Sequence, residues 1–517
     1  MTALKAEINE TGDFTMSVKK NYIYTLGYQL LTIAFPLVTI PYISRVLGSK
    51  GIGIFSYTNS IVRYFILFGM MGISTYGSKV IATVRDEKEQ LSRTFFSLYA
   101  LQMIMTIICS VLYLLFIYFG TFEYKTIMYL QGLALLSCLV DCSWFFSGLE
   151  KFKDIVIRNS IVKFISLLLL FLLVKTSDDL AMYTIIMTGS TLIGQIILWA
   201  GIKEYIKFVP IKFAEITEHF SHTLVYFIPQ IAVQVYFVLN KTMIGVLSTE
   251  SEVGIFDYAD KLLKVCLAFI TSLGTIMLPK MAYTFTTGNL EKVRRYLFQS
   301  LDFSTLIAVP IMFGLAGISF ELIPWYLGEE FNRSIQVLLI ISPTIFFMAW
   351  SGVFGTQYLL PLGKMKVYSV SVYIGAAVNL TLNLFLIKEY GAVGASIGTL
   401  AAEFFVVLTQ LIAVREQIAF KKILFKSMDY FIAGLVMLFV VRGIGNYLGV
   451  KVLTTILQIG LGAMTYLLIV CLIEYMKKDG LVLNEIQKVL ATIRQRKSVE
   501  EQEVKEALKK EIQKILE

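Results

Sequence analysis

The residue most out of place in this sequence is a cation deep inside an apolar run, and it occurs twice. Arg63 and Lys264 each stand about eleven residues into a hydrophobic segment. A charge at mid-bilayer costs at least about 2.5 kcal/mol, so both side chains should face a watery cavity, an acidic partner or an anionic ligand instead of lipid. The planar fork of Arg63 suits phosphate oxygens, which makes a lipid-linked pyrophosphate its natural ligand. The two cations differ in their neighbours. Asp260 precedes Lys264 by one turn and Asp257 precedes Lys261 by one turn, so that helix can neutralise itself, whereas Arg63 has Asn59 at the same spacing. The anion is therefore expected closer to Arg63, with Asn59, Lys261 and Lys264 around it.

Other intramembrane polar groups are secondary candidates. Arg45 and Lys241 lie near the outer ends of their segments, where a long side chain reaches the interface at little cost, although Lys241 could also turn inward. Both are kept as substrate-contact candidates, with snorkelling as the default. Asp141 and Lys163 could contact substrate or pair with one another. A second constellation joins Asn379 and Asn383, at i,i+4 on one helix face, to Thr399 and Glu403, at i,i+4 on the next. Such oxygens could coordinate Na+, Glu403 could carry H+ instead, and the plain alternative is interhelical hydrogen bonding. His219 and His222 have a metal-compatible spacing but no completing ligand, and read as interfacial. Cys109, Cys138, Cys142, Cys266 and Cys471 all lie in apolar segments with no CxxC pair, so neither a disulfide framework nor a zinc site is indicated.

The elements that must position these groups are membrane spans. Of 517 residues, 56% are hydrophobic and 16% charged, and the mean hydropathy is +0.71, beyond what a soluble core uses. The net charge of +9 does not point to nucleic acid, because the basic residues are scattered through short connectors. Fourteen apolar stretches are long enough to span, at approximately 18–44, 52–78, 93–119, 126–148, 155–174, 180–201, 222–247, 253–279, 296–319, 334–360, 367–387, 391–414, 427–447 and 451–476. Lys and Arg concentrate in alternate connectors, from Lys79, Arg85, Lys88 and Arg93 to Arg415, Lys421, Lys422 and Lys426. That set is expected to be cytoplasmic, with both termini inside. The polar stretch before Tyr22 is not a cleaved signal peptide and reads as a cytosolic lead-in.

The spans are also duplicated. Shifted by 201 positions, Gln29 falls on Gln230, Gly53-Ile54-Phe55 on Gly254-Ile255-Phe256, Tyr57 on Tyr258, Arg63 on Lys264 and Arg93 on Arg294. At a shift of 213, Lys151 meets Lys364, Lys153 meets Lys366 and Lys175 meets Lys388, so about twelve residues are added in the second copy, before Arg333. Six spans per copy make the repeat parallel, with substrate expected between the halves near mid-bilayer and alternating access by rocking. The domains so defined are 1–206 for spans 1–6, 207–419 for spans 7–12, 420–478 for spans 13 and 14, and 479–517 for an amphipathic cytosolic tail. The Glu and Lys regularity after Val499 also fits an added element. Pro36, Pro41, Pro229, Pro310 and Pro343 invite bends in spans 1, 7, 9 and 10.

The opening NYIYTLGYQLLTIAFPLVTIPYISRVLGSKGIGIFSYTNS resembles the polysaccharide transporter branch of the MOP (multidrug/oligosaccharidyl-lipid/polysaccharide) superfamily, and the PYISRVLG turn followed by GIGIFSY is its most specific part. The resemblance covers all fourteen spans. It implies an all-α polytopic membrane protein of two six-helix bundles in a V, with two extra C-terminal helices. It further implies a Wzx-type flippase that moves undecaprenyl-pyrophosphate-linked oligosaccharide repeat units outward for O-antigen, capsule or exopolysaccharide assembly. By similarity to the lipid II flippase, Arg63 and Lys264 would line a cavity of spans 1, 2, 7 and 8, and a groove with spans 13 and 14 would take the lipid tail. That relative's sodium site draws on spans 7, 11 and 12, where Asn379, Asn383 and Thr399 have matching spacing and Asn240 would be the span 7 member. The relative carries carboxylates where this sequence has Asn240 and Asn383.

The expectation is a monomeric, multi-pass flippase of the bacterial cytoplasmic membrane, with no covalent chemistry and with Na+, H+ or membrane potential as driving force. Membrane lipids surround it, and a polysaccharide polymerase and glycosyltransferases are expected partners. A drug or metabolite exporter on the same fold is the transport alternative. A polytopic glycosyltransferase or polymerase would need a large outer loop or a DxD-like cluster, and Asp178-Asp179 sits in a connector too short for one.

Overall fold

The computed structural model describes the backbone of Thr2–Lys477 except 287–289 and 416–419, plus Gly480 and four scattered tail residues; side chains are described from Phe35, with gaps at 152, within 229–237, at 272–280, 282, 286–290 and 416–422. The lead-in side chains, Pro229, Lys421, Lys422 and nearly all of the 479–517 tail therefore lie outside the described residues.

Every predicted apolar stretch falls on helix, as the apolar composition requires, because in lipid a backbone must satisfy its own polar groups. In chain order the helices are α1 (Thr2–Met70), α2 (Ile73–Val84), α3 (Lys88–Phe119), α4 (Lys125–Leu139), α5 (Ser143–Gly148), α6 (Phe152–Leu173), α7 (Leu180–Ile202) and α8 (Phe213–Leu247). They continue as α9 (Glu250–Thr286), α10 (Leu290–Tyr326), α11 (Arg333–Ile341), α12 (Thr344–Ser351), α13 (Met365–Tyr390), α14 (Ala392–Val414), α15 (Phe420–Leu448) and α16 (Val452–Lys477). Ten helical stretches among the described residues are long and apolar enough to cross a membrane, and the first, Phe35–Val84, is 50 residues long and carries both spans 1 and 2. The protein is a multi-pass membrane protein.

Spans 1 and 2 join without a loop. Gly48 breaks α1 with φ +66°, a left-handed conformation that glycine adopts without strain, and the next amide, Ser49 N, is taken by Glu330 Oε2 at 3.0 Å. Pro41 has no N–H, which frees the carbonyl one turn earlier; Tyr326 Oη donates to that Leu37 carbonyl at 2.8 Å. The added residues of the second copy thus tie back onto the joint between spans 1 and 2.

Three stretches expected as unbroken spans are interrupted. Span 2 turns at Met71-Gly72, where φ is 40° and 76°. Span 4 parts at 140–142 into α4 and α5. Its freed carbonyls are not orphaned: the fully buried Gln102 donates through Nε2 to Cys138 O at 2.6 Å and Asp141 O at 2.8 Å, and Trp199 Nε1 donates to Val140 O at 2.8 Å. Span 10 parts at Ser342-Pro343 and passes from α12 into a π-helix over Gly352–Leu359. Pro310, by contrast, lies inside the continuous α10.

The helices sort into two compact units, one of residues 1–265, 322–341 and 365–409, the other of 266–321, 342–364 and 410–517. In the first, Phe95, Trp144, Phe145 and Phe146 form an aromatic core with Leu98 and Leu198, and Tyr113, Ile117, Met128 and Leu135 form another with Val62. In the second, Tyr430, Met437, Val441, Tyr466 and Val470 pack α15 and α16 on Val309 of α10. Here Asp302 is buried against Lys426 Nζ at 2.5 Å and Tyr430 Oη at 2.8 Å, and Glu321 against Arg442 at 2.9 Å. Outward faces stay apolar, as at Phe119, Leu172, Phe385 and Phe439, which suits lipid.

Candidate substrate cavity

The duplicated opening brings its own copies together. Gly53 and Gly254, which the 201-residue shift aligns, cross at backbone contact: a Cβ on Gly53 would run into Glu250 O, and one on Gly254 into Ser49 O. Ser49 and Glu250 are themselves related by that shift. One turn deeper, Ser56 Oγ donates to Asp257 Oδ2 at 2.8 Å, again between aligned positions. α1 and α9 therefore touch along the line that relates the copies, and below the contact they part.

Where they part, a cavity of about 650 Å³ opens inside the first unit, lined from α1, α2, α4, α7, α8 and α9. A volume of that order suits a polar headgroup. Five of the six substrate candidates line it, namely Arg63, Asn59, Lys241, Lys261 and Lys264. Arg45 does not. It donates through Nη1 to Pro41 O at 2.7 Å and Tyr326 O at 3.2 Å, and through Nη2 to Trp325 O, a cation on the carbonyl end of α10.

The lining holds four cations, Arg63, Lys241, Lys261 and Lys264, and three carboxylates, Asp141, Asp257 and Asp260. Most of this charge is matched internally. Asp257 is buried and takes both Lys241 and, at 2.6 Å, Lys261, while Asp260 takes Lys264 at 2.7 Å and reaches Lys241 at 3.7 Å. Buried carboxylates demand such partners. The snorkelling default for Lys241 is thus corrected: its ammonium turns inward because Asp257 stands opposite on α9, an attraction stronger than a route to the interface.

Arg63 is different. It is exposed to the cavity, and its Nε donates to Asn59 Oδ1 at 2.8 Å. This is the same i,i+4 contact as Lys264 to Asp260, with an amide in place of the carboxylate. Among the described residues no carboxylate lies within ion-pair distance of Arg63; Asp257 acts on it from farther off while holding Lys241 and Lys261 directly. Asp141 reaches the cavity because span 4 breaks there, and its carboxylate accepts Ser143 N at 2.8 Å. Lys163 is not in the lining.

The second constellation also converges within the first unit. Asn383 Nδ2 donates to Asn240 Oδ1 at 2.7 Å and to Asn379 Oδ1 at 3.0 Å, and Asn240 Nδ2 donates to Thr399 Oγ1 at 2.9 Å. All four residues are buried, and Gly398 leaves room for the Asn383 carbonyl. As arranged, Asn240 Oδ1 and Asn379 Oδ1 both hold N–H groups of Asn383, while Asn383 Oδ1 is buried beside Gly398 without a hydrogen-bond partner among the described residues, so a cation between the first two oxygens would need Asn383 to turn. Glu403 is buried one turn beyond Thr399.

Two buried glutamines beside the site escaped the sequence reading. Gln102 and Gln131 are fully buried on α3 and α4, and the one signal either gave was a lone amide in an apolar run. Near the start of α8, His219 Nδ1 shares a hydrogen bond of 3.0 Å with Tyr76 Oη of α2, and His222 stacks on the same ring. Burial pushes the His219 imidazole below its usual range.

Residues 18–285 match the profile of the family described as polysaccharide biosynthesis protein. A protein of Escherichia coli (strain K12) named as an O-antigen transporter is 25% identical over 406 residues, covering 78% of this chain and 97% of that one. Among solved structures, the lipid II flippase MurJ in an inward closed conformation superposes with a TM-score of 0.71 at 17% identity, over 89% of this chain and 99% of that chain. An inward-facing multidrug resistance MATE family transporter of the MOP superfamily gives 0.55 at 12%, over 76% and 98%. These likenesses make the fold MOP-type. With more than half of its 517 residues inside the matched region, the chain belongs to the polysaccharide biosynthesis protein family.

Proposed function

We propose that the protein is a flippase that carries undecaprenyl-pyrophosphate-linked oligosaccharide repeat units from the cytoplasmic to the outer leaflet of the bacterial inner membrane, by alternating access. The single observation that carries this reading is Arg63, a cavity-facing guanidinium held by a neutral amide, while each of the three lysines beside it reaches Asp257 or Asp260. A pyrophosphate supplies the counter-charge and bidentate oxygens that such a fork takes. The oligosaccharide follows through the polar cavity while the lipid tail stays in the bilayer. The names of the O-antigen transporter and of MurJ support the same class of cargo.

Both termini are assigned to the cytoplasm from the connector charges, and the fold asks for no covalent chemistry. An exporter of cationic drugs would be served poorly by a cavity whose unmatched charge is positive. Replacing Arg63 with Ala should abolish surface polysaccharide while the protein remains in the membrane. Normal polysaccharide in that variant would remove the pyrophosphate assignment.

A further inference from the structure

The direction in which Arg63 points is set outside the cavity, by a chain of amides that begins at a main-chain carbonyl. Gln131, fully buried on α4, donates through Nε2 to Phe55 O at 3.2 Å and to Thr58 Oγ1 at 3.4 Å. The Thr58 hydroxyl spends its own proton on Ile54 O at 2.8 Å, so its oxygen is left to accept. A carbonyl can never donate, and these two acceptors therefore fix Nε2 as the end of the Gln131 amide that faces Phe55 and Thr58. Its Oε1 must face the other way, where it accepts Asn59 Nδ2 at 3.1 Å. That in turn fixes the Asn59 amide, whose Oδ1 is left facing Arg63 and takes the Nε–H at 2.8 Å. With Nε engaged, the guanidinium offers its two terminal nitrogens to the cavity.

We infer that Gln131 is a positioning residue for anion recognition, holding Arg63 through Asn59 in the orientation that presents both terminal nitrogens to two oxygens of a prenyl diphosphate. The inference rests on the reading of Arg63 as the anion ligand. The second copy shows why the device is needed in the first. Asp260 is a carboxylate and shows Lys264 an oxygen whichever way it turns, whereas Asn59 shows Arg63 an oxygen in one orientation of two. Without Gln131, the Asn59 amide is free to turn its NH2 toward a group that can only donate.

The test uses the full-length protein in lipid nanodiscs, titrated with farnesyl diphosphate and read by thermal shift, with flipping in vesicles measured alongside. Gln131→Leu should weaken farnesyl diphosphate binding by about tenfold, the scale of one charge-assisted hydrogen bond, and leave the flipping rate at saturating substrate unchanged. In an Arg63→Lys background, where no Nε–H remains to be oriented, the same change should cost nothing further. Asn59→Ala breaks the chain at its exposed end and should reproduce the loss if Gln131→Leu fails to accumulate. An equal loss in both backgrounds, or unchanged affinity in Gln131→Leu or Asn59→Ala, would overturn the positioning role. If Arg63→Ala itself binds farnesyl diphosphate normally, the anion-ligand reading falls first. Loss in Arg63→Ala with none in Gln131→Leu sinks the inference about Gln131 alone.

Discussion

One functional group separates the two copies of the cation pair. Arg63 on Asn59 and Lys264 on Asp260 have the same geometry, and the exchange of an amide for a carboxylate decides which cation has charge to spare. Asn59→Asp should therefore give Arg63 a resident counter-ion and weaken farnesyl diphosphate binding by about tenfold or more, while Asp260→Asn should strengthen it. Binding that moves in the same direction in both variants would contradict the charge argument. In the amide cluster the Asn240 and Asn379 oxygens already hold the Asn383 N–H groups, so Asn383→Ala is expected to lower stability by about 1 kcal/mol and leave any dependence of transport on Na+ or pH unchanged. A lost ion dependence in that variant would restore the coupling role to Asn379, Asn383, Thr399 and Asn240. Arg63, Asn59 and Asp260 were legible in the sequence because i,i+4 spacing is local. Gln131 was not, since nothing in the chain links positions 59 and 131 until α1 and α4 pack.

At the scale of elements, the close crossing of α1 and α9 needs glycine at both duplicated positions. Gly53→Ala or Gly254→Ala puts a Cβ against main-chain oxygen, which cannot give way as a flexible side chain can. Each should lower thermal stability in detergent, at a cost of about 1–3 kcal/mol, whereas Gly189→Ala, with open space around it, should not. Equal melting of the three variants would show that the crossing is not tight. Hydropathy located all fourteen apolar segments but missed the breaks in spans 2, 4 and 10. At Pro343 the signal was present. At 140–142 it was not, because the carbonyls freed there are satisfied by Gln102 and Trp199 from other helices. That break brings Asp141 to the cavity wall, so a tertiary event shaped the site where local sequence read as continuous helix.

For the molecule as a whole, class and fold were legible because both follow from repeated, redundant signals: apolar length, connector charge and a 201-residue duplication. The state of single charges was not. Lys241 looked able to snorkel, and its inward turn depends on Asp257 standing opposite on the next helix. The site therefore has less free positive charge than four cations suggest, and Arg63 is the cation there with an amide in place of a paired carboxylate. Purified protein in vesicles, scored for flipping of an undecaprenyl-pyrophosphate-linked glycan, tests this most directly. Arg63→Ala should lose about a hundredfold or more in rate at limiting substrate, and Lys264→Ala, whose charge Asp260 already balances, should lose far less. An Arg63→Ala variant that flips the glycan at the unaltered rate, or a Lys264→Ala variant that is the more impaired of the two, would contradict the account.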